Sequence, residues 1–187
     1  MGPKEPFGPF PLVRPRRRQG ERMTGEACDM TDIRQAATEF LGHQRIAVTG
    51  VSRNPQNHGA NIVYNRLRDR GYEVFAVNPK ATEVEGDPCW PDLGSIPDGV
   101  DAVVIGTRPG TAGATMRECV DLGIAHVWMH RLVGAGSLSD AASAYGCERG
   151  IQVIDGGCPL MFGPTADGPH KVLCRIFTWT GKVPRHV

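Results

Sequence analysis

Two kinds of apolar pattern alternate along most of the chain. In one, apolar residues recur every three or four positions, as Ile33, Ala36, Ala37, Phe40 and Leu41 do; that spacing predicts a helix, with Thr31 or Asp32 available to cap it. In the other, apolar residues run consecutively and are bounded by Gly, Asn or Pro, which predicts a strand buried on both faces. RIAVT, 45 to 49, is the first such strand, and the helix after it carries Ala60, Val63, Tyr64 and Leu67 on one face until Gly71 ends it. YEVFAV, 72 to 77, is the second, stopped at Asn78-Pro79 because proline cannot continue a central ladder. A loop rich in Gly, Pro and Asp leads to the third, DAVVIG, 101 to 106. Ala112, Met116, Cys119 and Val120 mark the next helix, and HVWM, 126 to 129, the fourth strand. Leu138, Ala141, Ala142 and Tyr145 mark another helix, closed by Gly146 or Gly150, before IQVID, 151 to 155, the fifth strand.

Strands alternating with helices imply βαβ units with right-handed crossovers. The expected fold is α/β, a Rossmann-like doubly wound parallel five-stranded sheet of order 3-2-1-4-5. After Pro159 the pattern is irregular, although Val172, Leu173, Ile176 and Phe177 have the spacing of a final helix packed on the same domain. The chain divides into a tail, 1–30, a main domain, 31–163, and a C-terminal helix and tail, 164–187.

Composition changes this picture little: 40% of the 187 residues are hydrophobic and 22% charged, enough apolar material for one core. A net charge of +1 argues against a nucleic-acid surface over the whole domain. Charge is uneven, however. Arg14, Arg16, Arg17 and Arg18 cluster among Pro3, Pro6, Pro9, Pro11 and Pro15, a composition that cannot bury enough apolar surface to fold alone and is expected to be a disordered, solvated tail. No apolar run is long enough to span a membrane, and no apolar stretch follows the early charges as in a signal peptide. The expected location is cytoplasmic. The six cysteines form no C-x-x-C pair, which disfavours a zinc site or redox dithiol; in a reducing compartment most are expected to be free thiols.

In an open parallel sheet, ligands bind beyond the carboxyl ends of the strands, where the strand order reverses. That rule selects Gly50, Val51, Ser52, Arg53 and Asn54 after the first strand, Asn78, Pro79 and Lys80 after the second, and Thr107, Arg108 and Pro109 after the third. Met129, His130 and Arg131 follow the fourth, and Asp155 through Pro159, including Cys158, follow the fifth. The opening loop runs into a helix whose first turn includes His58 and Gly59, where unpaired N–H groups and the positive helix end favour a diphosphate. Only Gly50 and Gly59 remain of the usual G-x-G-x-x-G spacing. Where an NAD site carries an acidic residue for the ribose, this chain has Asn78-Pro79-Lys80. A lysine there favours an additional ribose phosphate, as in coenzyme A or NADP. His58 is a candidate ligand contact; structural or solvated roles are expected of His126, His130, His170 and His186. No nucleophile–base constellation or metal motif has recognisable spacing.

The set GVSRNPQNHG, VNPKA, GTRPG, WMH and DGGCPLMF, in order and at strand ends, closely resembles the small standalone CoA-binding domain proteins. These are relatives of the nucleotide-binding domain in the α subunit of succinyl-CoA synthetase. The likeness runs from about residue 38 to about residue 163. It implies a Rossmann-like domain for coenzyme A or an acyl-CoA, with Gly50 to Asn54 cradling the pyrophosphate and Lys80 facing the phosphorylated nucleotide. Thr107 to Pro109 would line the adjacent wall, and Cys158-Pro159 would close the far side. Arg108 stands where those relatives commonly have an apolar residue or proline, and is either a phosphate contact or a rim charge. The second synthetase domain, which supplies a phosphate-carrying histidine, has no counterpart in the matched stretch.

The leading reading is a binding module for CoA or acyl-CoA without catalysis of its own, with a protein partner possible. The alternatives are an NADP-dependent oxidoreductase or acyl-CoA ligase accessory subunit, and a ligand-responsive regulator using its basic tail. A separate expectation concerns Cys158: either it pairs with the cofactor thiol in a mixed disulfide, or it fills a tight Gly-Gly-Cys-Pro turn.

Overall fold

The structure is a computed structural model that describes residues 32–54, 59–131 and 136–163. The expected tail 1–30, the helix over Val172, Leu173, Ile176 and Phe177, and His58 all lie outside the described residues.

The chain enters through α1, Ile33–Phe40, whose N-cap Asp32 accepts a hydrogen bond from Arg34 N and whose Ile33, Ala36, Ala37 and Phe40 are buried. β1, Arg45–Thr49, is followed by α2, Gly59–Asp69, and β2, Glu73–Val77. Two short strands come next, β3, Glu83–Val84, and β4, Asp87–Trp90. Then come β5, Ala102–Ile105, α3, Pro109–Leu122, β6, His126–Met129, α4, Asp140–Cys147, and β7, Gln152–Asp155. A single 3-10 turn, Pro159–Met161, ends the described chain.

The fold class is the one expected, a parallel sheet wound in both directions from its centre, but the strand count and order are corrected. Seven strands lie in the order β3-β4-β2-β1-β5-β6-β7. The strand 101 to 106, expected beside β2, pairs instead with β1, Ile46 opposite Ala102 and Thr49 opposite Ile105. Its expected place is taken by β4, which runs parallel to β2 through Ala76↔Cys89 and Val77↔Trp90. β3 closes that side antiparallel to β4. The loop between them is only Glu85-Gly86, with φ of 54° and 81°, the pair of positive angles that a two-residue hairpin turn requires.

Both faces of the sheet are covered. On one, Phe40 and Phe162 pack on Trp128 at ring-centroid distances of 5.3 and 5.5 Å, together with Leu67, Tyr64 and Ile154. On the other, α3 and α4 cover Val103, Ile105, Val127 and Val153. Gly146 lies inside α4 and does not close it: a Cβ there would sit 2.7 Å from Met116 Sδ, so the glycine lets α3 and α4 meet. Gly150, at φ 79°, makes the turn that follows. Cys89, Cys119 and Cys158 are free thiols, while Cys147 is disulfide-bonded.

Candidate functional site

The order of strands reverses between β1 and β5, and the crevice there is built around glycines. Gly50 ends β1 at φ 78°, and a Cβ on it would stand 2.7 Å from Gly106 O and 3.0 Å from Thr107 N. Gly106 ends β5; a Cβ there would stand 2.6 Å from Thr49 O and 2.7 Å from the Ala60 Cβ at the head of α2. The close helix-to-strand approach given by the third glycine of a dinucleotide fingerprint is obtained here from Gly106, on a different strand. In the sequence Gly106 ends the strand 101 to 106 and opens the GTRPG motif, and neither pattern shows this packing role.

The loop after β1 is held by a residue that its pattern did not single out. Asn61, 2% exposed in the first turns of α2, accepts from Ser52 N at 2.8 Å and donates to Ser52 O at 2.8 Å. Its second N–H donates to Glu85 Oε1 at 2.6 Å, which holds the Glu85 carboxyl below its ordinary range. One carboxamide thus ties together the loop, α2 and the β3–β4 hairpin. Ser52 Oγ accepts from Asn54 N at 3.1 Å and tightens the loop further. Val51 is wholly buried, so only its main chain reaches the crevice. Arg53 and Asn54 are exposed.

A second carboxamide joins this loop to the end of β2. Asn78 Nδ2 donates to Val51 O at 2.8 Å, and Asn78 Oδ1 accepts from Lys80 N at 2.9 Å. Pro79 and Lys80 are exposed. After β5, Thr107 Oγ1 is buried with no hydrogen-bond partner among the described residues, Arg108 is the exposed N-cap of α3, and Pro109 is its first helical residue. Basic residues therefore follow four neighbouring strands: Arg53 after β1, Lys80 after β2, Arg108 after β5 and Arg131 after β6. Asp155 ends β7, where its Oδ2 accepts from Ser143 Oγ at 2.7 Å.

The far side is apolar. Cys158, 2% exposed, belongs to the core cluster with Trp128, Leu160 and Phe162, and burial pushes its thiol up to about 12. A thiol in that state holds little thiolate at neutral pH, which favours the turn-filling alternative. Pro159 is buried beside it in the 3-10 turn. His130 is also buried, 7% exposed, and burial lowers its imidazole to about 4. Among the described residues there is no group of side chains suited to a metal ion, and no helix is long and apolar enough to cross a membrane.

A parallel sheet with a glycine-built corner at its reversal point, ringed by polar and basic residues at the strand ends, defines a Rossmann-like domain of the kind that receives a ligand across that corner. More particularly, the chain belongs to the CoA binding domain family, whose model matches residues 44–164. It is similar to acetate-CoA ligase (ADP-forming) II of Archaeoglobus fulgidus, with 36% identity over 81 residues, 42% of this chain and 12% of that protein. The α subunit of acetate-CoA ligase (ADP-forming) II from Pyrococcus furiosus is 30% identical over 85 residues, 46% of this chain and 19% of that one. The chain thus spans less than a fifth of the length of these curated relatives. Among solved structures, a hypothetical protein from Pyrococcus horikoshii OT3 matches with a TM-score of 0.62 and 28% identity, over 75% of this chain and 91% of that one. A Thermus thermophilus protein matches with a TM-score of 0.59 and 25% identity, covering 74% and 97%.

Proposed function

We propose that this chain binds coenzyme A or an acyl-CoA across the β1/β5 corner. The diphosphate would lie against Gly50 to Asn54 and the head of α2 at Gly59. Lys80 would meet the ribose phosphate, while Thr107 to Pro109 line the wall toward the pantetheine and Cys158-Pro159 back the far side. The observation that carries this reading is the Asn78 carboxamide, which bonds both the phosphate-loop main chain at Val51 and the main chain of Lys80. Where plain NAD would call for an acid, a lysine stands one carboxamide away from the loop. The family to which the chain belongs supports the same ligand.

Isothermal calorimetry with CoA, dephospho-CoA, NADP and NAD tests it. CoA should bind most tightly, and Lys80→Ala should remove most of the difference between CoA and dephospho-CoA; tighter binding of NADP would overturn the reading. The names of the curated relatives favour a second one, an accessory unit of an ADP-forming ligase. Release of ADP from ATP, dependent on acetate, CoA and this chain together with a partner protein, would support it.

A further inference from the structure

His130 is a buried polar side chain to which the described fold gives no partner. It follows β6 at the carboxyl end of the sheet, and its main chain is fixed on both sides, His130 N donating to Ile105 O and His130 O accepting from Ser137 N, each at 3.0 Å. The imidazole makes no hydrogen bond among the described residues, although 93% of the residue is shielded from solvent. Its ring lies against the first residue of α2: a Cβ on Gly59 would meet His130 Cε1 at 3.0 Å and Nδ1 at 3.6 Å. Two independent features therefore converge. An eleven-residue helix presents its N-terminus, the end that carries positive potential, and an imidazole with no partner among the described residues stands beside that terminus.

We infer that His130 is a contact for the phosphate held at the head of α2, and that binding the anion draws a proton from solvent onto its imidazole. This rests on the proposed CoA reading for the identity of the ligand, but not for the anion site itself. The electrostatics are simple. Burial makes the ring reluctant to protonate, and the positive helix end acts in the same direction. The elements packed on the ring or its main chain bring neutral groups: Gly59 from α2, Ile105 from β5, and Gly136 and Ser137 from the segment before α4. The charged groups closest along the chain and sheet are Arg131, which follows it, Arg108 after β5, and Asp155 at the end of β7, already engaged by Ser143. A phosphate dianion at the helix head reverses the balance by pairing with an imidazolium. An imidazole protonates more readily in the complex than in the free protein, so binding takes up protons and tightens as pH falls.

The probe is inorganic pyrophosphate, followed in parallel with CoA, on the full chain and on His130→Gln. If the anion returns the imidazole to its ordinary value of 6.5, wild-type affinity should rise about tenfold more than that of H130Q between pH 7.5 and 5.5, since the affinity gain follows the protonated fraction of the bound ring. Calorimetry in buffers of different ionisation heat should give proton uptake that is larger for wild type. Equal pH slopes in the two proteins overturn the inference. Should H130Q fail to fold, the imidazole proton resonance of His130 in wild type decides: a titration midpoint moved upward by pyrophosphate supports the contact, and an unmoved one sinks it. Pyrophosphate binding with a His130-dependent slope but no CoA binding would leave the anion site standing while the cofactor reading fell.

Discussion

Thr107 carries an unrecovered cost, because a buried hydroxyl without a partner among the described residues forfeits its bonds to water. Such groups cost about 1–3 kcal/mol, and replacement by an apolar group of the same shape can be stabilising. Thr107→Val should therefore raise the unfolding midpoint of the free protein while weakening CoA binding. Chemical denaturation and calorimetry on one preparation check both halves; a destabilised variant would mean that the hydroxyl already has a structural partner. Cys158 leads to the opposite expectation. With its thiol pushed up to about 12 by burial, it should resist alkylating reagents in the native protein and react only after unfolding, as intact mass spectrometry with and without urea will show. At this scale, residues at strand ends were legible from the rule about carboxyl ends. Asn61 was not, since an asparagine inside a helical pattern reads as an outward-facing residue. Its grip on Ser52, nine positions earlier, exists only once loop and helix have met.

Among the elements, glycine does two different jobs. Gly106 is a packing residue: a Cβ there meets backbone and a neighbouring Cβ at 2.6 and 2.7 Å, so β5 or the head of α2 would have to shift. Gly106→Ala should destabilise by roughly 1–3 kcal/mol through overpacking and weaken ligand binding with it. Gly113, inside α3, has only the end of Arg117 near its Cβ position, at 3.7 Å. Gly113→Ala should stabilise by about 1 kcal/mol through helix propensity and leave binding unchanged. Urea melts of the two variants should move in opposite directions. The helices and long strands were legible because each has a single dominant period. The β3–β4 hairpin was not: its strands are two and four residues long, Pro88 interrupts the pattern, and its turn places Glu85, instead of the usual Asn or Asp, at positive φ. Missing β4 is what displaced strand 101 to 106 in the expected order.

For the molecule as a whole, acid is the expected weakness. His130 and His43 are both harder to protonate in the folded chain than in the unfolded one, chiefly through burial. Their contribution is intact above the unfolded value of 6.5 and is lost as pH falls toward the folded values. For His130, a fall from 6.5 to about 4 corresponds to roughly 3 kcal/mol. Glu39 and Glu85, held below the ordinary 4.5 first by Gln152 and Asn61 respectively, lose their contribution at still lower pH, so the effects run in the same direction. Denaturation midpoints at pH 7.5 and 5.0 should differ clearly, and His130→Gln should narrow the gap. None of this pH behaviour was legible from sequence, because it depends on how deeply each imidazole is shielded.

The two-residue β3 determines how the sheet meets its surroundings. A second molecule or a stray peptide seeking to lengthen the described sheet there would find only Glu83 and Val84 to pair with, and one of them is charged. Polymerisation through that margin is discouraged by brevity and charge together, and the other border of the described sheet is Gln152–Asp155.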